Sequence, residues 1–125
     1  MPFARISIRR GKSEAYRAAL AEGVYQALRT AFGAAEGNRF AVIHQHDPED
    51  VIADAAYGGF ERSDDLVFIQ MSIAPGRTPE LKRAFFEAVV ANLGQDPGVR
   101  PDDVHIILLE TGKENWSLGR ATQLG

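Results

Sequence analysis

A proline directly behind the initiator methionine, in MPFARISIRR, offers chemistry that no other residue type offers. If Met1 is removed, Pro2 presents a secondary amine at the chain terminus. An α-amino group titrates near about 8 in water, and burial or a neighbouring cation disfavours its protonated form and lowers that value. Such an amine, fixed on a strand end, can abstract a proton beside a carbonyl at neutral pH. The plainer alternative is that Pro2 stiffens the start of a strand, a position where proline is tolerated. Arg77 closes the turn APGR, after an apolar strand-like run and before a helix start. A fixed cation beside free helix N–H groups suits a small carboxylate; the alternative is an arginine solvated in a surface turn.

Other polar residues could complete such a site. Asn38 and Arg39, in GNRF, stand at the entrance to a second strand-like run, where an amide can orient a water or a carbonyl oxygen. Asparagine in a loop otherwise serves as a turn residue. His44 and His46 are two apart on that run and so share a face, the spacing of a possible metal pair. With no cysteine and no third ligand at a recognisable spacing, no metal site is expected. His46 reads better as a polar strand end or a hydrogen-bonding pocket residue, and His105 as structural. Trp116, the only tryptophan, lies beyond the last strand in ENWSLGR and needs a surface to cover: its own subunit, a neighbour, or a pocket. The acidic stretches DPEDVIAD and ERSDD resemble neither a phosphate loop nor a calcium loop, and read as a solvated face.

The chain that must position these groups has 125 residues, a fit for one domain over 1–125. With 45% hydrophobic and 25% charged residues it has the composition of a globular protein. A net charge of -3 provides no basic face, so nucleic acid is not an expected partner. The absence of cysteine excludes a disulfide framework, a thiolate nucleophile and a Cys-ligated zinc, and fits a reducing compartment. No apolar run approaches the roughly 18 residues of a spanning helix, and the start lacks a signal-peptide pattern. The expected location is the cytoplasm, with no membrane partner.

FARISIR (3–9) alternates as a strand, GKS breaks it, and Ser13 caps a helix whose apolar positions recur at three- and four-residue steps until Gly33. RFAVIHQH (39–46) is a second strand. The segment 47–65 reads as turns with at most a short hairpin. LVFIQMSI (66–73), the N-cap and first-turn pair Thr78 and Pro79, the helical face Leu81, Phe85, Val89 and Leu93, and VHIILLE (104–110) then repeat the pattern. Ser13 matches Thr78, Gly33 matches Gly98 and Arg39 matches Val104, all at one separation. The expected fold is therefore α+β in two layers: two pseudo-symmetric β-α-β units, about 2–46 and 66–110, each with parallel strands, and a tail over 111–125. Both helices cover one face of a four-stranded sheet. Strands as apolar as LVFIQMSI and VHIILLE leave the other face in need of a cover, and self-association supplies it.

Pro2 together with TAFGAAEGNRF, QHDPEDVI, GFERSDD, RTPELKRAFF, PDDV and ENWSLGR resembles the tautomerase superfamily, and within it the malonate semialdehyde decarboxylase group. The resemblance runs in order along nearly the whole chain. It implies a homotrimer with sheets facing inward, a small carboxylate substrate, no metal or organic cofactor, and Pro2 as catalytic base or acid. Arg77 matches one of two arginines that hold the substrate carboxylate; the other falls at Pro75. Asn38 stands where the decarboxylases use an aspartate, and an amide can hydrogen-bond but carries no charge. Trp116 matches an aromatic wall, with Leu118 in place of an aromatic neighbour, and Arg39 and His46 are further candidates for binding substrate. With the aspartate and one arginine gone, the expected activity is cofactor-independent keto-enol tautomerisation of small 2-keto acids such as phenylpyruvate-like compounds, with Pro2, Asn38 and Arg77 as the catalytic set. The alternatives are a decarboxylase or hydratase of the malonate semialdehyde type, and a non-catalytic trimeric binding protein of the same fold. An unrelated ferredoxin-like dimer would explain the two-unit pattern but gives Pro2 no role.

Overall fold

The computed structural model describes residues 2–124, so Met1 and the expectation that it is removed lie outside the described residues. Strand β1 (Phe3–Arg9) is the start of everything else: its alternation buries Ala4, Ile6 and Ile8 on one side and turns Arg5 to the other. Helix α1 (Glu14–Phe32) begins where Ser13 Oγ accepts the Tyr16 N–H at 3.1 Å, with Glu14 in its first turn. It ends because Gly33 takes a left-handed conformation, φ 65°, and returns its N–H to Arg29 O. Strand β2 (Ala41–His46) follows. It starts two residues later than the alternation suggested, although Phe40 O already accepts the Ala4 N–H at 3.0 Å.

Residues 47–66 form no hairpin. Two short 3-10 turns, Pro48–Asp50 and Tyr57–Gly59, carry the chain across, and the second half then repeats the first. Strand β3 is Val67–Ile73 and strand β4 is Val104–Glu110. Between them helix α2 (Pro79–Gln95) has Thr78 Oγ1 accepting the Leu81 N–H, with Pro79 in its first turn. It stops at Asp96, two residues short of the position equivalent to Gly33, so the match of Gly33 with Gly98 holds for the loop and not for the helix end.

The sheet order is β2-β1-β3-β4. β1 pairs with β2 and β3 with β4 in parallel, as each β-α-β unit demands, and β1 joins β3 antiparallel. The register shows how close the two halves are. Ala4 faces Ala41 and Ile69 faces Ile106, equivalent pairs at the same offset, while Arg5 faces Gln70 across the pseudo-twofold axis itself.

Both helices lie over one face of the sheet. Leu20, Val24, Leu28, Phe85, Val89 and Leu93 close over Ile6, Ile8, Ile69 and Met71 to form the buried core. The helices touch closely at Gly23, where a Cβ would sit 2.6 Å from Leu93 Cδ2, and Asn92 Nδ2 donates to Gly23 O at 2.9 Å. The internal glycine of α1 is therefore a close-packing site. The opposite face has no layer over it: Val42, Ile107 and Leu109 are 41%, 47% and 43% exposed. No helix is long and apolar enough to cross a membrane among the described residues.

Candidate active site

β1 begins beside the end of β3, since Phe3 faces Ser72 and Thr111 N donates to Ile73 O at the same edge. That end of the sheet also receives the C-terminus of α1 and the turn before α2. A cavity of about 180 Å³ lies there, lined by Pro2, Leu28, Phe32, Gly33, Ala34, Asn38, Ile73 and Arg77. Three residues far apart in the chain, Pro2, Asn38 and Arg77, thus meet around one space. Pro2 itself is buried, and Asn38 and Arg77 are half-buried.

Arg77 is held by its surroundings. Its Nη1 donates to Ala74 O at 2.9 Å, and the guanidinium lies over the Phe32 ring, 4.5 Å from the centroid. Phe32 in turn stacks on buried Phe85, ring centroids 4.9 Å apart. A guanidinium on an aromatic face keeps its edge free for a planar anion, and no acidic side chain forms an ion pair with it among the described residues. Glu110 and Lys82 sit nearby, bonded to each other at 2.8 Å. That bond from Lys82 is the main reason the Glu110 carboxyl is held below its usual range, and the charge of Arg77 adds to the effect.

Asn38 is carried on the loop between α1 and β2. Tyr25, buried on α1, accepts the Gly37 N–H through its hydroxyl at 3.0 Å and so anchors that loop. Asn38 Oδ1 is buried and has no hydrogen-bond partner. A buried amide oxygen left without a donor is uncommon and costly, so a donor arriving in the cavity gains more there than at a solvated acceptor.

The remaining candidates are placed elsewhere. Arg39, next to Asn38, turns outward: its guanidinium lies 4.1 Å from the Tyr25 centroid and pairs with Glu22 at 3.2 Å. His46 pairs with Arg9 at the far end of β1, because β2 runs parallel to β1 and away from Pro2. It lies outside its own chain's cavity, on the open sheet face beside His44, whose Nε2 accepts from Arg5 at 3.1 Å. Among the described residues no group of three or more potential ligands is placed to hold a metal. Trp116 is half-buried and Leu118 is 50% exposed in the tail, where Trp116 O accepts the Leu124 N–H. Neither lines the cavity of its own chain. Phe32, which lines the cavity, and Tyr25, which anchors the loop of Asn38, are not among the candidates drawn from the sequence. Their place in the last three turns of α1, ahead of the loop that bears Asn38, is the signal that marks them.

Two family models, each described as "Tautomerase enzyme", match residues 2–57 and 38–119. Among curated relatives, the probable tautomerase YusQ of Bacillus subtilis (strain 168) is 32% identical, over 95% of this chain and 94% of its own. The probable tautomerase YrdN of the same strain is 23% identical over 95% and 92%. Among solved structures, a malonate semialdehyde decarboxylase studied for its decarboxylase and hydratase activities superposes with a TM-score of 0.90 at 28% identity, covering 96% of this chain and 92% of that one. The FG41 malonate semialdehyde decarboxylase inhibited by 3-bromopropiolate also gives 0.90, at 34% identity over 96% and 91%. A fused 4-OT symmetric trimer, 24% identical with a TM-score of 0.76, shares the fold over 98% of this chain and 94% of its own.

Proposed function

The chain belongs to the tautomerase family, and from that premise we propose that it is a cofactor-independent keto-enol tautomerase of small 2-keto acids with the amine of Pro2 as its base and acid. The observation that carries this reading is the cavity shared by Pro2, Asn38 and Arg77. Burial of Pro2 and the nearby Arg77 charge both disfavour a protonated amine once Met1 is gone. The neutral nitrogen takes the hydroxyl proton of the enol, whose oxygen electrons form the carbonyl. The electron pair of the C=C bond takes a proton at C3 from the ammonium so formed. One proton has moved from oxygen to carbon and the amine is regenerated.

Arg77 holds the substrate carboxylate and fixes its distance from Pro2. Asn38 serves the C2 oxygen: its amide N–H groups can donate to that oxygen as the hydroxyl proton passes to Pro2 and the carbonyl forms, while its unpartnered Oδ1 is left to accept from another donor entering the cavity. An aspartate would leave a fixed negative charge in the cavity and favour the protonated amine; the amide supports proton shuttling without it. Proximity on a rigid strand end supplies the rest.

Decarboxylation of a 3-carbon semialdehyde is a second reading, favoured by the 0.90 superpositions on two malonate semialdehyde decarboxylases. Against it stand the uncharged Asn38 and Pro75 in place of a second arginine. The active form is a homotrimer in which the open faces of the sheets meet; the apolar face and the similarity in fold to a trimeric relative support this. Ketonisation of an arylpyruvate enol and carbon dioxide release from malonate semialdehyde, followed side by side, test the assignment. Faster enol turnover is expected, and carbon dioxide release without enol turnover would reverse it.

A further inference from the structure

The two halves of the chain repeat each other closely enough to locate a second copy of the Pro2 cavity. The step along the chain that carries Ser13 to Thr78 also carries Lys12 to Arg77 and Asn38 to Asp103. The backbone keeps that step: Asn38 N donates to Ala35 O as Asp103 N donates to Arg100 O, and Ala34 N donates to Leu28 O as Val99 N donates to Leu93 O. Lys12 and Arg77 each stand one residue ahead of a helix N-cap. Each cation also lies near an aromatic ring, Arg77 over Phe32 and Lys12 Nζ 5.0 Å from the Tyr16 centroid. Of the residues that line the cavity, Leu28, Gly33 and Ile73 recur as Leu93, Gly98 and Ile8.

The chain itself occupies this second copy. Ser63 N and Oγ donate to the two carboxylate oxygens of fully buried Asp103, and Lys12 Nζ donates to Asp65 Oδ1. Asp65 N in turn donates to Ser63 Oγ at 3.1 Å, which folds the two residues into one unit. Asp65 thus gives Lys12 the carboxylate that no side chain gives Arg77 among the described residues. The bond to Asp65 is the main reason the Lys12 ammonium is held above its usual range, against the opposing effect of burial. The pair is not sealed in: the two side chains are 32% and 53% exposed, and both line an open cleft of about 350 Å³. Arg9 and Arg10 on the same cleft are bonded to Asp64 O and to Asp47, so Asp65 serves Lys12 alone.

We propose that Lys12 is a second carboxylate site of this chain, closed by Asp65 as an internal ligand and open to small monocarboxylates when Asp65 leaves. The ligand class follows from the occupant: stripped of its backbone, the Asp65 side chain is a short alkyl carboxylate. An ammonium is a compact charge with rotatable donors, so the site selects for charge and small size more than for a planar, two-pronged fit. A tethered carboxylate competes at high effective concentration, which keeps free acids off Lys12 while Asp65 is in place. The comparison with Arg77 rests on the role proposed above for that residue, but the test requires no turnover.

The experiment is titration of the full chain with propanoate, followed by nuclear magnetic resonance at the backbone amides of Gly11 and Ser13, which flank Lys12. It is run in an Arg77→Ala background, so that the first cavity does not contribute. Adding Asp65→Ala should tighten propanoate binding at least about fivefold, the order of factor by which a half-exposed ion pair can compete. A further Lys12→Ala should abolish the gain, and uncharged propanamide should bind none of the variants at these amides. Thermal melts identify a variant that fails to fold; Asp65→Asn, which keeps the side-chain shape and removes the charge, then carries the comparison. Equal propanoate affinity with and without Asp65, a gain that survives Lys12→Ala, or equal binding of propanamide would each overturn the proposal. Failure of the catalytic reading looks different: wild type and Arg77→Ala would bind propanoate alike, while the gain on removing Asp65 would stand.

Discussion

At the residue scale, the proposed reaction divides the work between Asn38 and Arg77, and substitutions should separate their roles. Arg77→Ala removes the proposed charge-assisted contact to the substrate carboxylate, a kind of contact worth about 2 kcal/mol. Steady-state kinetics should show KM for a 2-keto acid enol rising some thirtyfold with a smaller change in kcat; an unchanged KM would remove Arg77 from the site. Asn38→Asp places an anion beside the Pro2 amine and favours its protonated form. The acid limb of the kcat/KM profile should move to higher pH, because more base is needed to free the amine, and carbon dioxide release from malonate semialdehyde should rise. Pro2, Arg77 and Asn38 were legible as candidates from residue type and position, and the fold brings them to one cavity. The unpartnered Oδ1 of Asn38 was not legible, since it depends on what surrounds the amide in space. Nor was the outward turn of Arg39, which Tyr25 and Glu22 capture only once α1 lies beside the loop.

Among the elements, the helix–helix contact at Gly23 is the most demanding. Gly23→Val forces a branched side chain against Leu93, which is itself fully buried and cannot retreat. Overpacking of this kind costs about 2 kcal/mol, to be read as a lowered denaturant midpoint with an unchanged slope. The pair Lys82 and Glu110 ties α2 to the end of β4. Because the Glu110 carboxyl is held below its usual value of 4.5, its contribution to stability is present above that value and lost as pH falls through the lowered one. Glu110→Gln should therefore flatten the decline of the melting temperature with acid over that interval. Six long elements were legible because alternation, helical spacing and the caps Ser13, Thr78 and Gly33 all agree. The span 47–66 was less so: Pro48 and the paired glycines announce turns, but which turns form depends on distant anchors. One of these is buried Asp103, which accepts from Ser63 N and Oγ at 2.7 and 2.6 Å.

For the whole molecule, the parallel pairing within each unit follows from its helical crossover, whereas the antiparallel join of β1 to β3 is a long-range contact that local pattern does not encode. The open face was legible as surplus apolar residues in β3 and β4, and the sheet leaves Ile107 and Leu109 exposed there. Ile107→Lys should shift sedimentation from the proposed trimer towards monomer and lower activity with it; a wild-type protein that sediments as a stable monomer would contradict the proposed burial of this face. The proposed reaction turns most on the free amine of Pro2. Its most direct test is the rate of arylpyruvate enol ketonisation by wild type, with intact mass showing that Met1 is gone, against Pro2→Ala of the same fold and assembly. A loss of at least about a hundredfold is predicted, because the variant's terminal amine is primary and no longer held in place by the pyrrolidine ring, and equal rates for the two proteins would contradict it.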